Sequence, residues 1–511
     1  MLREQEGRSY PARGREGHGV ELPVHRQFRR EGEHARYAKC NRGGADFSTN
    51  DCYGEFDGDN GACLVNDSYF QGSRTGNKGA VIQIGGGDDF MRLEVNRCTM
   101  INASCGKDFE DDPQGEGGVL SVGWNVEVTM RDSIVEDSTV GKKGGAIVLA
   151  SSDIDSWDTP GGTLVIENST FSYCKAERDT GGVIYLNEYS TLNITGDLNR
   201  FFRNECDDNG AVLSATVNTR VNIEGGLFYD NEAGEGGAVI SSTGEVRISG
   251  GTFRDNLADT QGGVWVIKTE DDGPDAVMFV DGGLFINNEA EVGGVGFIDE
   301  RAELIVTGGN FTGNSADNGG VFAVEEDASF EVTGGTFVKN KASFGGFLYK
   351  NGKGNCSCSG TTIERHTALD GGAVYAFDDA ILEWQCDLVG NHALSGPAFY
   401  ARDDAEITMT GVQVANNTIS RGSIIFLVSS KLWTYEVDFI DSVGYADLSA
   451  VQADDSSLFI AEDTAFIGFN GEAVVYSQGK LYLDACDFSQ SPAEVLVDSA
   501  DDAIVRNALL G

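Results

Sequence analysis

The chain has 511 residues, with 81 Asp and Glu against 37 Lys and Arg and a formal net charge of −44. That balance excludes the basic patches that nucleic acid and anionic membrane surfaces require, and it disfavours polyanionic substrates such as pectate. No stretch reaches the roughly 18–20 apolar residues of a transmembrane helix, and eleven cysteines point to an oxidising compartment.

Taken in chain order, residues 1–39 differ in kind, with nine Arg and Lys against six Glu. They read as a disordered basic leader without the apolar centre of a signal peptide. Residues 40–78 are loosely patterned, carry Cys40, Cys52 and Cys63, and suit an N-terminal cap. The first convincing strand is Gly79-Ala-Val-Ile-Gln-Ile84, followed by Leu93, Val95 and Met100 at alternating offsets. Segments 110–113, 151–162 and 269–275 read as loops inserted between strands.

From Gly236 the chain repeats itself. Glycine pairs begin at Gly236, Gly262, Gly293, Gly319, Gly345 and Gly371, in steps of 26, 31, 26, 26 and 26 residues. A period in this range marks a solenoid, and a glycine pair in every unit argues against helical repeats. Alternation points Val295, Phe297, Leu304, Val306 and Phe311 inward in one unit, and Val321, Ala323, Phe330, Val332 and Phe337 in the next. Three short strands per unit make an all-β fold, a single-stranded parallel β-helix of about 14–15 coils of roughly 26 residues over 79–489. Right-handed coiling follows from the handedness of parallel crossovers.

Two columns should run up the interior. Phe228, Phe253, Phe285, Phe311 and Phe337 form an aromatic stack, continued by Ile363, Leu388 and Val414. Asn231, Asn256, Asn288, Asn314 and Asn340 form a ladder whose amides answer turn backbone that water cannot reach. His366 takes the Asn position of its unit. Past Gly396-Pro397 the glycine pair decays while apolar offsets persist at Ile424, Phe426, Phe439, Phe466 and Phe488. Residues 490–511 read as a C-terminal cap or tail.

Candidate chemistry is sparse. Cys174 and Cys206 fall near the same turn in successive coils and are a candidate disulfide; Cys98 with Cys105 is another. Cys356 and Cys358 occupy the offsets of Phe330 and Val332, so they read as buried thiols. Acidic turns recur at Asp299-Glu300, 325–327, Asp378-Asp379 and Asp403-Asp404. Calcium shared between coils would use Glu325, Asp327, Asp378, Asp379, Asp403 and Asp404; no other cofactor is indicated and no catalytic residue stands out. Seven Asn-x-Ser/Thr sequons occur, at Asn66, Asn102, Asn168, Asn193, Asn310, Asn355 and Asn416.

Gly144-Gly-Ala-Ile147, Gly236-Gly-Ala-Val239 and Gly371-Gly-Ala-Val374, alternating with Phe201-Phe-Arg-Asn204, Phe228-Tyr-Asp-Asn231 and the later Phe-x-x-Asn units, resemble the repeat of the chlamydial-type polymorphic outer membrane protein (Pmp) family across roughly 117–417. The resemblance implies a pectin lyase-like β-helix displayed on a cell surface or outer membrane, or secreted, and used in adhesion. The chain departs from the family pattern in that no membrane barrel follows the repeats. The expected function is therefore non-enzymatic adhesion or recognition of a host or neighbouring-cell surface protein or glycan. A carbohydrate-active lyase or glycoside hydrolase on the same fold is the alternative, and a structural wall or matrix component is third.

Overall fold

The structure, a computed structural model, describes residues 61–509 apart from 76–77, 85–89, 106–114, 150–160, 271–272, 441–448, 470–472, 493–494 and 500–502. The leader, Cys40 and Cys52 of the expected cap, the loop at 110–113 and most of that at 151–162 lie outside the described residues. The rest is all-β, a parallel solenoid of about 15 coils of ~26 residues.

One coil shows the plan. After Gly319-Gly320 comes the strand Phe322–Val324, then an acidic turn and the strand Ser329–Val332. A bend at Gly334-Gly335 leads into Thr336–Val338, and a second bend at Lys339-Asn340 returns the chain to Gly345-Gly346. Each piece pairs in parallel with the same piece of the next coil: Phe322 with Leu348, Phe330 with Cys356, Phe337 with Ile363. Pieces like Phe322–Val324 build a first stack of 16 strands, and the two legs around the Gly334-Gly335 bend build a second stack of 30 strands. Two-residue strands such as Leu257–Ala258, continued by single bridges such as Ser315 to Lys341, form a narrow third stack.

The glycine pair is required by contact as much as by conformation. Gly319 sits at φ +70, and a Cβ there would lie 2.1 Å from the Phe322 carbonyl oxygen. At Gly320 it would lie 2.4 Å from the carbonyl oxygen of Gly346 in the next coil. A side chain at Gly319 would strike the following turn of its own coil, and one at Gly320 would strike the next coil.

The interior carries both expected columns. Ring centroids of Phe228, Phe253, Phe285, Phe311 and Phe337 lie 4.6, 5.0, 4.5 and 4.8 Å apart in order, with successive planes within 15° of parallel. The column also extends downward through Phe201 and Phe171. Upward it passes through Ile363, Leu388 and Val414 to Phe439, Phe466 and Phe488.

Three expectations about the coils need correction. The solenoid is already present at 61: Gly61–Asn66 pairs with Met91–Asn96, and Tyr69–Gln71 with Thr99–Ile101. It also continues past 489, where Val495–Ser499 lies on Ala473–Ser477 and Ala503–Arg506 on Lys480–Asp484. Both end segments join by backbone pairing without the glycine pair that marks a coil in the sequence. Third, Phe297 and Ala323 do not face the main core. They pack with Val266 in a separate outer cluster against Val292 and Tyr349, while Ile298 and Val324 point inward. The turn after the glycine pair sends both Val295 and Gly296 toward the core, and Gly296 sits against the Trp265 indole. Alternation therefore starts one residue late.

Candidate functional site

The Asn ladder is the most complete polar constellation of the interior. The inner side chains make the same bonds: the Asn288 Oδ1 accepts from the backbone N–H and the Nδ2 of Asn256, at 3.2 and 2.9 Å. Its own Nδ2 donates to the Phe253 carbonyl at 3.0 Å and to the Asn314 Oδ1 at 3.0 Å. The pattern links Asn204, Asn231, Asn256, Asn288, Asn314 and Asn340, all buried. His366 then replaces the amide. Its Nδ1 accepts from the Asn340 N–H at 3.2 Å and its Nε2 lies 3.1 Å from the Phe337 carbonyl, which assigns the proton to Nε2. Burial holds the imidazole far below its ordinary range, at about 3. This ladder is structural, with no opening to solvent.

The cysteines differ from expectation. Cys174 and Cys206 are not bonded to each other. Cys174 lies in the Asn column, under Asn204, and its sulfur belongs to the main core. Cys206 stacks on Ala176 and belongs to a small cluster with Ala233. The two thiols are thus two residues out of register and face different interiors. Cys98 and Cys105 are separated in the same way between those two clusters. The expectation of two thiols at Cys356 and Cys358 holds only for Cys356, because Cys358 is bridged to Cys386 with a Cα–Cα separation of 5.6 Å. Strand Ile381–Val389 runs beside Asn355–Glu364, whose register slips between Ser359 and Thr362. That irregularity sets Cys386, two residues past the pairing partner of Cys358, within reach.

The calcium candidates do not converge: among the described residues no group of three or more His, Cys, Asp or Glu is placed to hold a metal ion. Asp378, Asp379, Asp403 and Asp404 all stand at positive φ on exposed turns, and cations answer two of them directly. Lys353 lies 3.4 Å from Asp379 and Arg402 lies 2.6 Å from Asp403. Asp327 is exposed, and Glu325 faces a different neighbour.

That neighbour is Asp299. Ile298 pairs with Val324, which sets Asp299 beside Glu325 at an inter-strand spacing of roughly 4.8 Å. Lys268 approaches Asp299 from the coil below, 3.6 Å away. Burial, and then the Asp299 carboxylate, push the Glu325 carboxyl above its ordinary range. Nearby, burial pushes the Tyr349 hydroxyl up to about 12. Lys350, fully buried, gives its Nζ to the carbonyls of Asn351 and Glu326 at 2.9 and 3.3 Å, and burial lowers its pKa. Perturbed titratable groups gathered in one place mark a candidate site.

A second surface lies along the third stack. Rows following the ladder Asn leave a groove of about 480 Å³ floored by Ala258, Ala290, Ala316 and Ala342. Its walls carry Asp259, Glu289, Glu291 and Asp317 against a single Lys341. The sequence displays this as the recurring Ala followed by an acid two residues after Asn, but only the stacking of coils makes it concave. Sequence reading also missed an outer row on the first stack, where Tyr349, Tyr375, Tyr400 and Phe426 stack at 5.8, 5.2 and 5.3 Å. Its signal was an aromatic four residues after each of Gly345, Gly371, Gly396 and Gly422.

Among the described residues no helix is long and apolar enough to cross a membrane. No protein-family model matches this chain, and neither a curated protein nor a solved structure is significantly similar to it.

Proposed function

We propose that the chain is a non-catalytic recognition rod, surface-displayed or secreted, that binds a positively charged surface of a neighbouring-cell or host protein or glycan. The observation that carries this reading is the acid-walled groove spanning four coils, whose carboxylates outnumber its one lysine. A lattice of parallel strands holds these carboxylates at fixed spacing, so a cationic partner meets them without the entropy cost of ordering flexible loops. The resemblance of the repeats to the Pmp repeat points the same way. The test is binding of purified chain to peptide and glycan arrays as salt is raised. Asp259→Asn, Glu291→Gln and Asp317→Asn combined should weaken binding about ten-fold, a change of roughly 1.4 kcal/mol. Unchanged binding by the triple variant removes the groove from the reading.

The carbohydrate-active alternative is favoured by one observation, the Asp299 and Glu325 pair. Glycoside hydrolysis uses two neighbouring carboxyl groups; burial and the Asp299 carboxylate raise Glu325 above its ordinary range, which fits it for the acid's part, and Lys268 lies 3.6 Å from Asp299. Hydrolysis of a neutral polysaccharide that Glu325→Gln abolishes would establish it. A panel left intact by the native protein dismisses it.

A further inference from the structure

The seven sequons keep to the second stack and its bends. Asn66, Asn193, Asn310 and Asn355 lie in strands of the second stack, and Asn168 lies at the bend between that stack's two legs. Asn102 and Asn416 occupy the same place in their coils, the corner between second and third stacks, at φ 56 and 53. None lies in the 16-stranded first stack or in the turns that enter and leave it.

Exposure divides the set. Asn102, Asn168, Asn310, Asn355 and Asn416 are exposed, while Asn66 and Asn193 are half-buried and accept bonds from Asn96 and Asn222 at 3.0 and 2.9 Å. At Asn310 the sequon hydroxyl of Thr312 donates to the Asn Oδ1 at 2.8 Å, which leaves Nδ2 outside that bond. The buried Cys358–Cys386 bridge fits folding in a compartment where disulfides form, the setting in which this modification is made.

We propose that Asn102, Asn168, Asn310, Asn355 and Asn416 carry N-linked glycans. The donor is an oligosaccharide on a polyprenyl diphosphate. Its anomeric carbon forms a bond to the Asn Nδ2, its bond to the diphosphate oxygen breaks, and the amide gives up one proton as the diphosphate leaves. Sugars at these places clothe the second stack and leave the outer aromatic row of Tyr349, Tyr375 and Tyr400 bare. The corner sites lie on coils outside those lining the acidic groove. This modification is independent of what the rod binds.

The test uses protein isolated from its source cells. Digestion with peptide-N-glycosidase in heavy-oxygen water converts each glycosylated Asn to a labelled Asp. The label is expected at all five positions by peptide mass spectrometry, with a shift in electrophoretic mobility of the whole chain. Each single Asn→Gln variant should remove one step of that shift. A position recovered only as unmodified Asn is struck from the set, and all five recovered unmodified overturns the proposal.

Discussion

The central coils and the C-terminal coils solve the same problem by different means. Between about 200 and 345 the first-stack strands are short, as in Phe322–Val324, and both bends are built from side-chain chemistry: glycine at one, the Asn ladder at the other. Beyond 396 the glycine pair is gone, but the strands lengthen, as in Ser423–Val428 and Lys431–Tyr435. The last ladder amide is Asn417; at the same position further on stand Phe469 and Ser491, with the Ser491 Oγ donating to the Phe466 carbonyl at 2.7 Å. The coil therefore needs filled inward volume and an answered bend, and the repeated motif is only one way of supplying them. Longer backbone ladders take over where side-chain ladders stop.

Breaking this contrast begins at Asn288. Asn288→Ala takes the acceptor from both the Asn256 N–H and the Asn256 Nδ2 in the core. At about 1–3 kcal/mol for each orphaned group, the loss should be about 3–5 kcal/mol. Ser491→Ala should cost about 1–2 kcal/mol. Urea denaturation of both variants decides the matter, and equal losses would erase the difference between the two blocks.

Next in size is the bridge between Cys358 and Cys386, which spans 28 residues. Replacing both by Ser should lower stability by about 3–4 kcal/mol, read as a lower Tm. By contrast, Cys174 and Cys206 should react with a thiol alkylator in unfolded, unreduced protein; finding them protected would restore the bond expected from sequence.

Phe285→Leu comes third, at about 1–2 kcal/mol, because Ile363, Leu388 and Val414 already carry the column on aliphatic side chains. A cost near that of an alanine substitution, about 3–5 kcal/mol, would show that ring stacking in the central block matters beyond volume.

His366 gives a pH signature instead of a loss at neutral pH. Its folded pKa is depressed from 6.5 to about 3, so the unfolded chain takes up the proton first as pH falls. Its contribution is intact above pH 6.5 and is lost progressively down to about 3. His366→Asn, which restores the residue the column normally uses, should flatten acid denaturation across that window relative to the native chain. Parallel curves would contradict a neutral buried imidazole.

The smallest change is expected at Lys350, whose column neighbours are Val324 and Ala376. Lys350→Met removes a buried ammonium that no carboxylate answers among its hydrogen bonds, and stability should stay level or rise by about 1 kcal/mol. A clear loss in a thermal melt would show that its bonds to the Glu326 and Asn351 carbonyls outweigh the desolvation.

What was readable in the sequence was whatever depends on period and on a residue's own character. The coil length, the Phe column and the Asn ladder follow from identical residues returning at one spacing, because parallel coils place equal offsets above one another. His366 in the Asn place was legible for the same reason. The tertiary path alone decided the rest. Phe297 and Ala323 lie outside the main core because a turn consumed one extra inward residue, and Cys386 reaches Cys358 across an irregularity that no repeat announces. Both ends of the solenoid extend past the last recognisable glycine pair, since backbone hydrogen bonds recruit a strand whatever its motif. The acidic groove and the Asp299–Glu325 pair exist only through stacking, which sets residues from different coils side by side when the sequence holds them some 26 positions apart.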